Sequence, residues 1–106
     1  MPDPSLNNPI TSSIEDDPEM IEIIDMFIDE LPKRVAIISD AFEQQDWSQI
    51  KTISHQLKGA APGYGFESIG VAAGTLEALL IESASIDEIE NASEQLTELC
   101  GRVAKF

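Results

Sequence analysis

This 106-residue chain contains one histidine, one cysteine and one tryptophan, and the histidine stands in suggestive company. In Ser54-His55-Gln56-Leu57-Lys58-Gly59, Lys58 follows His55 by three positions and Gly59 by four. On a helix both lie one turn along on the same side, so the lysine can meet a charge carried by the ring. A glycine inside a helix costs about 1 kcal/mol against alanine. Gly59 therefore either clears a path to the imidazole or marks early fraying toward Pro62. An exposed imidazole with a cation one turn on and a missing side chain between them describes a nucleophile that takes up an anion. One His with one Cys cannot complete a metal-ligand set or a catalytic triad, which argues against a metalloenzyme or a hydrolase. Cys100 has no partner for an internal disulfide.

The helix that must carry His55 is legible in the pattern around it. Asp46 is its expected N-cap, and Ile50, Ile53, Leu57, Ala60 and Ala61 cluster within roughly a third of its circumference. His55 projects about 150° from the centre of that stripe, together with Lys51, Thr52, Lys58 and Gly59. The breaker Pro62-Gly63-Tyr64-Gly65 ends the helix.

The other elements follow from the same spacing. Residues 1–17, with Pro2, Pro4 and Pro9 and no apolar periodicity, read as a flexible leader. Asp17-Pro18 starts a helix carrying Met20, Ile24, Phe27, Ile28 and Leu31. Pro32 is expected to interrupt it and to begin a second helix bearing Val35, Ile38 and Phe42. After the breaker, Ile69, Ala73, Leu76 and Leu80 define a further helix. Beyond the boundary at Ser85-Ile86-Asp87, Ile89, Ala92, Leu96, Leu99 and Val103 run at helical spacing to the end. No window alternates with period two. The expected fold is all-α: an antiparallel four-helix bundle over residues 18–106, with an additional N-terminal helix packed across one end.

Charge narrows the partners. Twenty acidic against six basic side chains give a net charge of −14. Residues 1–30 carry −9 and residues 67–106 carry −6, whereas the stretch 31–66 around His55 carries +1. Such a surface repels nucleic-acid phosphates and anionic lipid. No apolar run approaches the roughly 18 residues of a membrane span, and no signal segment opens the chain. A cytoplasmic monomer is expected.

The stretch from Ser54 to Phe66 resembles the signature of histidine-containing phosphotransfer (HPt) domains: His, Lys-Gly at the third and fourth following positions, then small residues, then Gly near the tenth. Phe27-Ile28-Asp29-Glu30-Leu31-Pro32 and Asp46-Trp47 also look like that family, so the resemblance covers residues 18–106. It implies that His55 accepts a phosphoryl group on Nε2 from the aspartyl phosphate of a receiver domain and passes it to another receiver. Lys58 would stabilise the phosphoryl charge and Gly59 would give the receiver room, with Lys51, Gly63 and Gly65 on the partner-binding side. The implied partners are response-regulator receiver domains and a hybrid sensor histidine kinase. Mg²⁺ would come from the receiver, with no cofactor of the chain's own. With no nucleotide-binding glycine loop after a strand, ATP-dependent kinase activity is not expected.

Glu77, twenty-two residues beyond His55, falls where several HPt domains place a Glu or Gln against the phosphorylated ring. From spacing alone it flanks Gly70 and Gly74, off the apolar stripe. Its carboxylate either reaches the imidazole across that small-residue seam or is simply solvated. Pro62 and Gly63 depart from the Ser, Ala or Asn more usual in the family, and Ser54 from the commoner Ala; both leave the local loop shape open. Two other readings stand beside the phosphorelay intermediate. One is a phosphate-accepting domain excised from a hybrid or chemotaxis-type histidine kinase, and the other is a helical interaction module that is never phosphorylated.

Overall fold

Local helix signals and long-range packing share the work of building this chain. The computed structural model describes residues 9–14 and 18–105. Four helices account for most of it: α1 (Pro18–Glu43), α2 (Trp47–Ala60), α3 (Glu67–Ile81) and α4 (Ile86–Gly101). No strand occurs among the described residues. Asp46 caps α2 as its spacing implied, its carboxylate accepting from the Gln49 N–H at 3.2 Å. Ser85 does the same for α4, accepting from the Glu88 N–H at 3.2 Å. Asp17, the expected cap of the first helix, lies outside the described residues.

The additional N-terminal helix is not a separate element. Pro32 sits inside the 26-residue α1, which runs unbroken from Pro18 to Glu43. Proline removes one intrahelical hydrogen bond and crowds the carbonyl four residues back. Here Pro32 is exposed and sits on the outer side of the helix, away from the core. Meanwhile Ile24, Phe27, Leu31, Ile38 and Ala41 keep one buried stripe running past the proline on both sides. That continuous packing outweighs the local break.

α1 packs on α2 and α4, and α3 packs on the same two helices, so the four follow one another around a single core. Ile50 and Leu57 of α2, Ile69 and Leu76 of α3 and Leu96 of α4 are at most 1% exposed. The predicted stripes are therefore the buried ones. At roughly 25 cal/mol per Å² of apolar surface removed from water, this shared interior is the main force holding the helices in register.

The segments at the two ends of the bundle differ from their sequence expectations. α4 stops at Gly101, and Val103 instead forms a single parallel bridge with Ile10. The Ile10 N–H donates to the Arg102 carbonyl at 2.8 Å, and the Ala104 N–H donates to the Ile10 carbonyl at 2.9 Å. Within the leader, residues 9–14 are thus held against the bundle rather than free. Ser12 is 2% exposed and its hydroxyl donates to the Tyr64 carbonyl at 2.6 Å.

Candidate functional site

His55 lies on the outer face of α2, its side chain 74% exposed, as its helical phase implied. Pro62 ends α2 at Ala60, and a 3₁₀ turn over Ala61–Tyr64 follows. Gly65 then takes a left-handed φ of 86° that lets the chain reverse into α3. Tyr64 and Phe66 anchor this reversal on α1, their rings stacking on Phe27 with centroids 4.6 and 5.9 Å away. The reversal places α3 alongside α2, and with it Glu77 beside His55.

Glu77 is the residue on which the site closes. Its Oε2 lies 2.7 Å from His55 Nδ1, and its Oε1 accepts from Lys58 Nζ at 3.3 Å. One carboxylate therefore bridges the ring and the lysine. Only 8% exposed, it is a positioned acid rather than a solvated one. Burial pushes its carboxyl up, but hydrogen bonds from His55 and Lys58, and their charge, outweigh this and hold it below the ordinary carboxylate value. With Nδ1 engaged, Nε2 is the ring nitrogen left for chemistry.

The glycines of α3 explain how two helices come this close. A side chain at Gly70 would place its Cβ 2.6 Å from Cγ of Pro62, inside contact distance. At Gly74 a Cβ would meet only the aliphatic stem of Lys58, at 3.5 to 3.8 Å. Gly70 is thus sterically required, and Gly74 provides the floor along which Lys58 lies. Ser54, the departure beside the histidine, points into the core, fully buried, and donates to the Ile50 carbonyl at 2.7 Å.

The remaining expected residues divide. Lys51 is exposed and lines a shallow groove beside His55, with Thr52, Gln56, Glu77 and Ile81. Gly59 and Gly63 are exposed, with nothing within 4 Å of where a side chain would begin. Gly65 does not belong to this open face. It is buried beneath residues 12–14, its carbonyl accepting from the Ser13 N–H at 3.0 Å, and a side chain there would collide with Ser12 and Ser13. Its role is to make the turn. Sequence reasoning missed Ile81, 63% exposed beside the imidazole, although its place four residues beyond Glu77 puts it on the same helix face. It also missed Arg34, whose guanidinium reaches from α1 to donate to Gln56 Oε1 at 3.0 Å. Among the described residues no group of three or more His, Cys, Asp or Glu side chains could hold a metal ion. No described helix is long and apolar enough to cross a membrane.

A four-helix bundle presenting one exposed histidine, with a lysine one turn on and a carboxylate behind the ring, has the equipment of a phosphoryl carrier. The Hpt domain family model matches residues 22–106, and the chain belongs to that family. Hpt domains act in phosphotransfer in two-component signalling, interacting with receiver domains and kinases. Compared with curated proteins and with solved structures, the chain gives no match.

Proposed function

We propose that the chain is a phosphorelay intermediate in which His55 takes a phosphoryl group from a receiver's aspartyl phosphate and passes it to another receiver. The observation that carries this reading is the 2.7 Å contact between His55 Nδ1 and Glu77 Oε2 on an otherwise exposed ring. Glu77 accepts the Nδ1 proton's hydrogen bond, which selects the tautomer whose Nε2 lone pair faces outward. That lone pair attacks phosphorus, the phosphorus–oxygen bond to the aspartyl group breaks, and the receiver's carboxylate leaves with the bonding electrons. The positive charge gained by the ring is offset by Glu77, so no proton has to move.

Lys58 supports the same step. Its ammonium, resting on Glu77, has donors to spare for the incoming phosphoryl oxygens. Gly59 and Gly63 leave room for the receiver, while Lys51, Thr52 and Ile81 supply contacts around the ring. Mg²⁺ belongs to the receiver's carboxylates, and the chain works as a cytoplasmic monomer, carrying phosphohistidine without ATP-dependent kinase activity.

The test is phosphate uptake from a panel of phosphorylated receivers by the wild type and by His55→Gln. The wild type should gain acid-labile phosphate from at least one receiver, and the variant, with its helical circular-dichroism spectrum intact, should gain none. Equal labelling of the variant would refute the assignment.

A further inference from the structure

Across the bundle from the α2–α3 seam that holds His55, α1 and α4 flank a groove of about 250 Å³. Ile38 and Phe42 give it an apolar wall, and Glu43, Glu90 and Glu94 surround it. No base lines it, and none of the three carboxylates has an ion-pair partner among the described residues. Ser93 also lines the groove. It is only 7% exposed, and its Oγ is buried without a hydrogen-bond partner. The comparison with Ser54 is direct, because that buried serine satisfies itself on the carbonyl four residues back. Buried hydroxyls without partners are uncommon, and this one belongs to a residue that lines an open groove, where a turn of the side chain would offer it to an incoming group.

We propose that this groove receives an arginine side chain from a partner protein. The volume falls below the roughly 300–1,000 Å³ of small-molecule sites and suits a single long side chain. The aliphatic stem lies on Ile38 and Phe42, and the guanidinium sits among Glu43, Glu90 and Glu94. Its planar fork of five donors can serve carboxylates and a neutral hydroxyl at once, so one N–H meets Ser93 Oγ when that side chain turns toward the groove. A lysine ammonium is a compact, strongly hydrated charge with three donors and matches this mixed set less well. Because the groove lies on the opposite seam from His55, the arginine-bearing partner and a receiver can be bound together.

The test is an amide NMR titration of the full chain with a blocked Gly-Arg-Gly peptide, alongside peptides carrying citrulline or lysine, and spermidine. The arginine peptide should give saturable shifts at Ser39, Glu43, Ser93 and Glu94, and the uncharged citrulline peptide should give none. Ser93→Ala and Glu94→Gln should each weaken binding about tenfold, while folding and phosphate uptake stay unchanged. Three results would each overturn the proposal: shifts spread over the acidic start of α1, lysine or spermidine binding as tightly as arginine, or wild-type affinity in Ser93→Ala.

Discussion

Replacing either of two glycines in α3 by alanine gives opposite expectations, although both lie on the same seam. Each change gains helix propensity, worth up to about 1 kcal/mol. At Gly74 the new methyl meets only the Lys58 stem at 3.5 Å or more, which is ordinary contact, so Gly74→Ala should stabilise. At Gly70 the methyl would begin 2.6 Å from Cγ and 2.9 Å from Cδ of Pro62. Carbon atoms pack at about 3.5–4.0 Å, so α3 and the turn must separate by on the order of 1 Å. Overpacking of that kind typically costs about 1–3 kcal/mol. The propensity gain is common to both variants, so their difference isolates the clash. For a domain of this size it corresponds to a gap of roughly 5–15 °C in melting temperature.

The same separation has a functional reading, because Glu77 lies two turns beyond Gly70. Opening the seam by about 1 Å would stretch the 2.7 Å contact with His55 past the range of a hydrogen bond. Thermal melts, ¹⁵N NMR of the imidazole and phosphotransfer rates should therefore move together. Gly70→Ala should melt below Gly74→Ala, lose the bias toward a proton on Nδ1 and transfer about tenfold more slowly. Coincident melts, or a Gly70→Ala variant more stable than the wild type with its tautomer unchanged, would refute the argument that this glycine sets the distance.

Three further outcomes follow from the site and core. Lys58→Ala should slow transfer about tenfold without abolishing it, since the Lys58 side chain is 56% exposed and its ammonium, 3.3 Å from the Glu77 carboxylate, is well screened; a thousandfold loss in a single-turnover assay would contradict this. Glu77 ionises more readily when folded than its ordinary 4.5, so its ionic contribution is complete above that value and is lost as pH falls through the lower folded one. Denaturation series should accordingly show a wild-type advantage over Glu77→Gln that is still present at about pH 5 and shrinks in stronger acid. Burial pushes the Cys100 thiol up to about 11, so iodoacetamide at pH 8 should label it only once the chain is unfolded.

Where the determining interactions are local, the sequence by itself decided the outcome. The buried stripes of α2, α3 and α4, the cap at Asp46 and the outward phase of His55 all depend on residues within a few positions of one another. Helical geometry converts such spacing into direction without reference to the rest of the chain. That His55 and Lys58 share one face of α2 was legible for the same reason. Tertiary structure decided the rest. Pro32 could have ended a helix or ridden on its wet face, and only the packing of Leu31 and Ile38 into one core settles which. Gly65 looked like part of a docking face until residues 12–14, more than fifty positions away, were seen to cover it. Glu77 could reach the ring or face water, and that choice turns on an interhelical distance set by Gly70 against Pro62. No periodicity encodes a distance between two helices, because it results from how side chains far apart in sequence fill the space between them.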